Sequence, residues 1–213
     1  MKKCIIIGAG EFNEKVITKE AEDILIVADG GYYNYLKLDN HDDLLIDYLI
    51  GDFDSLDIQK VKLDTRTKIL KLYPVKDDTD VLDAVKYALD KGYNEFAIYG
   101  ALGKRVEHSI ANIGVLSYIK DHNANGFLYD GPKVIRIVKN EKIFLDNKYT
   151  GYISFFSLYE KSSGVTVKNL RYELDNYDIY ENYPLGIDNE FIGKSACIEV
   201  KKGKLLVIYN RNI

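Results

Sequence analysis

The feature that most restricts this chain is a set of five short apolar runs in its first half, at residues 4–7, 24–27, 48–50, 68–70 and 96–99. Each is long enough for one strand and too short for a helix. None shows the apolar–polar alternation of a half-exposed strand, so each reads as a strand buried on both faces. Helical faces lie among and after them: Val81, Leu82, Val85, Ala88 and Leu89 share one helical spacing, and Ile110, Ile113, Leu116 and Ile119 share another. Buried strands alternating with helices predict an α/β unit on a mainly parallel, doubly wound sheet. From about residue 126 the pattern changes to short alternating runs at 152–156, 164–167, 196–200 and 205–209, punctuated by Gly and Asn and without a helical period. That predicts an all-β, sandwich-type second domain. The polar stretch Asp-His-Asn-Ala-Asn-Gly at 121–126 supplies the joint, so the expected division is 1–125 and 126–213.

A length of 213 residues suits two compact units, and 46% hydrophobic against 29% charged residues allows a real core in a globular protein. The 29 basic and 33 acidic residues are interleaved, giving a net charge of −4, so no broad basic face is available to neutralise a nucleic-acid backbone. The apolar runs fall far short of the roughly 20 residues needed to cross a bilayer. Met1-Lys2-Lys3-Cys4 leads into a Gly turn and charges instead of a secretory apolar stretch. The expectation is a cytoplasmic protein with neither nucleic acid nor membrane as a partner. Cys4 and Cys197 sit in strand-like segments almost the whole chain apart, which reads as reduced, buried thiols.

Chemistry gathers where the strands end. Gly8-Ala9-Gly10-Glu11 follows the first run but lacks the third Gly of a dinucleotide fingerprint, and reads as a tight turn. Asp29-Gly30-Gly31 ends the second, at the edge where open parallel sheets bind ligands. After the third run, Gly51-Asp52-Phe53-Asp54-Ser55 places two carboxylates at i and i+2, which an extended backbone points the same way. Like charges held together call for a cation, and magnesium, which takes one or two carboxylates plus phosphate oxygens, is the natural one. A helix N-cap at Asp54 or Ser55 is the competing reading. Lys76-Asp77-Asp78-Thr79-Asp80 precedes the first amphipathic helix and falls on the same edge, although carboxylates and Thr also favour helix starts for capping alone. Finally, Gly100-Ala101-Leu102-Gly103-Lys104-Arg105-Val106-Glu107-His108 joins a strand to a helix carrying Asn112. Glycines followed by two cations at such a turn suit a triphosphate.

Taken in order, Ala28-Asp29-Gly30-Gly31, Ile50 to Ser55, Asp77 to Asp80, and Gly100 to His108 with Asn112 closely resemble the successive motifs of the thiamine pyrophosphokinase family. Residues 154–158, 164–172 and 186–191 are similar to the family's β-domain signatures, so the likeness spans nearly the whole chain. The resemblance implies transfer of pyrophosphate from ATP to the thiamine hydroxyl, giving thiamine diphosphate and AMP. It implies a homodimer with ATP on the α/β domain and thiamine in a cleft completed by the β domain of the other subunit. By matching position, Asp52, Asp54 and Asp80 would hold Mg2+. Asp29, Gly30, Gly51, Ser55, Thr79, Gly103, Lys104, Arg105 and His108 would meet ATP, and Asp77, Asp188 and Asn189 thiamine. Asp52, Asp77, Asp80 and Arg105 would carry catalysis. Three residues depart from the family pattern: Lys104 stands for a small residue, Glu107 for Asp, and Asp188 for the Ser of a Ser-Asn pair.

Two other readings stay open on the residues alone. Asp52-Phe53-Asp54 after an apolar strand imitates an aspartate-nucleophile phosphatase, which normally carries that pair on its first strand. A non-catalytic thiamine or nucleotide sensor would keep the fold and lose turnover through the three departures.

Overall fold

The structure, a computed structural model, describes residues 2–53, 56–71 and 78–211. It contains two compact units, Met1–Gly131 and Pro132–Ile213. In the first, β1 (Lys3–Ile7), β2 (Ile24–Ala28), β3 (Tyr48–Gly51), β4 (Lys68–Lys71), β5 (Glu95–Tyr99) and β6 (Asn125–Asp130) pair in parallel in the order β4-β3-β2-β1-β5-β6. Every residue of β2 is buried, as the unbroken apolar runs predict. β4 differs because it has one neighbour only: Lys68 and Ile69 are exposed, as an edge strand allows.

Among the described residues three α-helices flank this sheet: α1 (Gly31–Tyr35), α2 (Asp80–Asp90) and α3 (Val106–Asp121). α1 packs on β1 and β2, α2 on β1 to β3 and on α3, and α3 on β6. On one side Ile5, Ile7, Leu25, Val27 and Leu49 form a buried cluster with Tyr32, Tyr35, Leu38 and Leu44. The buried face of α2 is Val81, Ala84, Val85 and Ala88, with Leu82 and Leu89 at its margins. In α3 the buried set is Asn112, Val115, Leu116, Ser117 and Ile119, and Ile110 is 61% exposed. The helix is in the expected place, and Leu116 and Ile119 of the expected set are buried, but Ile110 faces out and the buried side takes in Asn112, Val115 and Ser117 as well.

The division between units falls at Gly131, not at residue 125. The polar stretch is a helix end. Asn123, at φ +57, takes the left-handed position after α3, its amide reaching Lys120 O at 3.2 Å and that of Ala124 reaching Ile119 O at 3.2 Å. This C-terminal cap turns the chain straight into β6, parallel to β5.

The second unit is built of strands. β7 (Lys133–Lys139), β9 (Tyr152–Ser157), β12 (Gly186–Glu190) and β14 (Lys204–Asn210) pair antiparallel in the order β12-β9-β14-β7. β8 (Lys142–Leu145), β10 (Ser162–Lys168), β11 (Leu174–Ile179) and β13 (Ala196–Glu199) form a second antiparallel set, β11-β10-β13-β8. Alternating burial, as in Tyr152–Ser157, marks the one-faced strands the sequence pattern predicts.

Candidate functional site

Parallel pairing brings the ends of β1, β2, β3 and β5 to one edge. After β4 the chain crosses to the far side of β1, so the end of β1 lies between strands that leave in opposite directions. Crevices at such reversals bind ligands. A cavity of about 560 Å³ opens here, lined by the Gly8–Gly10 turn, by Asp29 and Asp52 after β2 and β3, by Asp78, Thr79 and Asp80 at the start of α2, and by Gly103, Lys104, Arg105, His108 and Asn112. Carboxylates and cations from separate segments thus share one cavity. Gly30, next to Asp29, is the N-cap residue of α1, and Gly51 ends β3 beside Asp29. Asp54, Ser55 and Asp77 lie outside the described residues.

Local contacts sort the lining. Thr79 caps α2, its Oγ1 accepting from Leu82 N at 3.3 Å, so the capping reading of this segment holds for Thr79 while Asp80 still lines the cavity. Asp78 is paired with Lys86 at 2.5 Å. Arg105 Nε donates to Glu107 Oε1 at 2.6 Å. The amide of Glu107 itself and the Arg105 guanidinium hold the Glu107 carboxyl below its ordinary range. Lys104, at φ +54, donates from Nζ to the carbonyl of Ala9 at 2.5 Å. Asn112 is 5% exposed; its Nδ2 donates to Ala101 O at 2.6 Å, and its buried Oδ1 has no hydrogen bond among the described residues.

A larger cavity of about 690 Å³ in the same unit is lined by Tyr32, Tyr35, Leu44, Leu56 and Lys62 among others, and by none of the expected site residues. In its lining, Tyr32 Oη donates to Lys62 O and accepts from Lys62 N, each at 3.1 Å.

In the β unit, Phe155, Tyr172, Leu174, Leu185, Ile187 and Asn189 line an apolar pocket of about 330 Å³. Asn189 is 3% exposed. Its Nδ2 donates to Tyr172 O at 2.7 Å, while its Oδ1 accepts from Tyr172 N at 3.0 Å and Glu190 N at 2.9 Å. Asp188 is exposed at φ +56, with its amide donating to Ser154 Oγ at 3.1 Å.

Comparison with known proteins bears on both units. Residues 17–128 match the model of the thiamin pyrophosphokinase catalytic domain, and residues 134–205 that of the thiamin pyrophosphokinase vitamin B1 binding domain. The chain belongs to the thiamine pyrophosphokinase family. The thiamine pyrophosphokinase of Bacillus subtilis (strain 168) is 29% identical over 161 residues, covering 74% of this chain and 75% of that protein. The crystal structure of the Bacillus subtilis protein superposes with a TM-score of 0.82 at 24% identity over 100% of both chains. That of Geobacillus thermodenitrificans gives 0.83 at 22%, covering 100% and 98%, and that of Candida albicans 0.79 at 15%, covering 98% and 89%. These establish a shared fold. With family membership goes the activity: the protein is an enzyme of the thiamine diphosphokinase kind, transferring pyrophosphate from ATP to thiamine.

Within this thiamine pyrophosphokinase fold Asp52 follows the third strand, not the first, which removes the positional premise of an aspartate-nucleophile phosphatase. Sequence reasoning missed Asn34 of α1, whose side chain reaches the Gly8–Gly10 turn, and it read that turn as mere punctuation although it walls the cavity. The paired glycines spaced around Ala9 were the available signal.

Proposed function

We propose that the 560 Å³ cavity binds ATP together with magnesium, and that pyrophosphate passes there to the thiamine hydroxyl with release of AMP. The observation that carries this is the convergence of Asp52, Asp80 and Arg105, from three separate strand-to-helix segments, on one cavity. The strand order around β1 supports reading the sheet as doubly wound, with the nucleotide at its reversal.

The donor set fits magnesium. Among the described residues no three acidic, His or Cys side chains are gathered into a self-sufficient metal cage. One or two carboxylates plus phosphate oxygens are what this ion takes when it travels with a nucleotide. Asp52 and Asp80 would hold it, joined by Asp54 on the sequence reading and by Asp29 of the same cavity, and the ion would supply charge neutralisation at the phosphates. Arg105, flanked by Gly103, Lys104 and His108, meets the triphosphate with a cationic fork from the same cavity that the carboxylates line. Catalysis then rests on holding thiamine's hydroxyl in line with the β-phosphorus, with Asp77 or a neighbouring carboxylate orienting or deprotonating that hydroxyl.

Thiamine recognition falls to the β unit, at the pocket bounded by Tyr172, Leu185 and Ile187 with Asp188 at its margin. Those three apolar side chains are substantially exposed, which supports a homodimer in which the partner subunit completes the cleft. Free Cys4 and Cys197 support a reducing, cytoplasmic setting. Purified protein given ATP, Mg2+ and thiamine should yield AMP and thiamine diphosphate in equal amounts, resolved by chromatography. ADP as the nucleotide product, or binding without any product, would overturn this reading.

A further inference from the structure

Gly8, Ala9 and Gly10 wall the cavity, and each of their three carbonyls is held by a side chain from elsewhere in the fold. Asn34, 2% exposed on α1, donates from Nδ2 to Gly8 O at 2.7 Å and to Gly10 O at 3.0 Å, while its Oδ1 accepts from Lys37 Nζ at 2.8 Å. Lys104 holds the carbonyl between them from the facing loop. The amides are engaged as well: Gly8 N on Tyr99 O at 2.9 Å, Gly10 N on Gly100 O at 2.6 Å, and Glu11 N on Leu102 O at 2.7 Å. The two loops approach so closely that a Cβ on Gly10 would stand 2.4 Å from Leu102 O.

A buried amide costs free energy unless its groups are bonded, so its presence where an apolar residue would pack equally well needs a reason. Asn34 directs its donors at backbone more than twenty positions earlier in the chain, on the cavity's rim. Capturing those carbonyls has two consequences for an anionic ligand. It offsets their negative ends beside the phosphates, and it orders the wall before binding, so that no ordering entropy is subtracted from affinity. Lys104 adopts a left-handed backbone, a conformation side chains accept only when the surroundings compel it.

Building on the reading of this cavity as the ATP site, we propose that Asn34 is a positioning residue that holds the Gly8–Gly10 turn as a preformed wall, with Lys104 closing the same turn from the opposite lip.

The test uses the full chain with Asn34→Ala, Lys104→Met, Lys104→Arg and the Asn34→Ala/Lys104→Met double variant. It measures hydrogen exchange at residues 8–11 without ligand, ATP affinity by calorimetry with Mg2+ and no thiamine, and the separate KM values for ATP and thiamine. Asn34→Ala and Lys104→Met should each speed exchange at the turn and weaken ATP binding about tenfold, leaving the KM for thiamine unchanged. Lys104→Arg should restore both, and the double variant should lose less than the sum of the single losses, because both act through one turn. Wild-type exchange at 8–11 in both single variants, or faster exchange with undiminished ATP affinity, would overturn the proposal alone. Should Asn34→Ala fail to fold, the Met and Arg variants of exposed Lys104 decide the matter by the same two readings. Failure of the unaltered protein to bind ATP would instead overturn the reading of the cavity, and this proposal with it.

Discussion

Gly51 stands against Asp29 so closely that a Cβ on it would lie 2.8 Å from the Asp29 Cβ and 3.2 Å from its Oδ1. The parallel register sets this approach: Ala28 lies opposite Ile50, and the amide of Asp29 donates to Ile50 O at 2.7 Å. Asp29 is itself buried in a left-handed conformation, φ +40, so it has little freedom to retreat. Gly51→Ala should therefore cost about 1–3 kcal/mol in urea unfolding, the usual range for overpacking, and should displace Asp29 from the cavity. Turnover should fall well beyond what the stability loss explains. Wild-type stability and turnover together would show that the contact yields without consequence.

Asp52 is the carboxylate on which the magnesium reading leans most. Asp52→Asn keeps the shape and removes one negative charge from an acidic wall, so folding should stay cooperative and change by no more than about 1 kcal/mol. Turnover should drop by about 10²–10³, and the Mg2+ concentration needed for half-maximal rate should rise. A variant that unfolds instead would make Asp52 a structural residue, and one with normal turnover would remove it from the site.

Much of this was legible in the sequence, for a physical reason: strands buried on both faces need unbroken apolar runs, and parallel strands put their following turns on one edge. That is why Asp29, Asp52 and the Gly103–Arg105 turn fall on one edge by sequence pattern alone. β6 was not legible, because Asn123 in a helix cap has the same composition as a linker, and only the pairing with β5 separates the two. The buried face of α3 was legible in part: Leu116 and Ile119 are buried as their spacing predicts, but the face also carries Asn112 and Ser117, which apolar spacing passes over, and Ile110 is exposed. Asn34 was hidden because its bonding partners lie 24 and 26 positions away, a relationship that exists only once the sheet has formed.

Asn189 was expected at thiamine, yet its amide is committed to the backbone of Tyr172 and Glu190. Its effect on the 330 Å³ pocket should then come through the placement of Tyr172. Asn189→Ala leaves partly buried backbone groups of Tyr172 and Glu190 without this partner and should cost about 1–2 kcal/mol. KM for thiamine should rise while ATP affinity stays as in the wild type. Loss of thiamine binding at unchanged stability would point to direct contact in place of support.

Asp23 offers a test of the first unit's pH dependence. Burial alone would raise its carboxyl, but the amides of Lys3 and Glu20 and the Lys3 ammonium outweigh that and hold it below its ordinary value. A carboxylate whose pKa is depressed by folding stabilises the protein above its unfolded pKa, about 4, and that contribution fades as pH falls through the folded value. Asp23→Asn should thus lower the urea midpoint clearly at pH 7 and less near pH 3, below the unfolded pKa of about 4, as the advantage of the ionised carboxylate fades. A gap of the same size at both pH values would mean that packing and neutral hydrogen bonds, and not the ionised carboxylate, tie the start of β1 to the turn before β2.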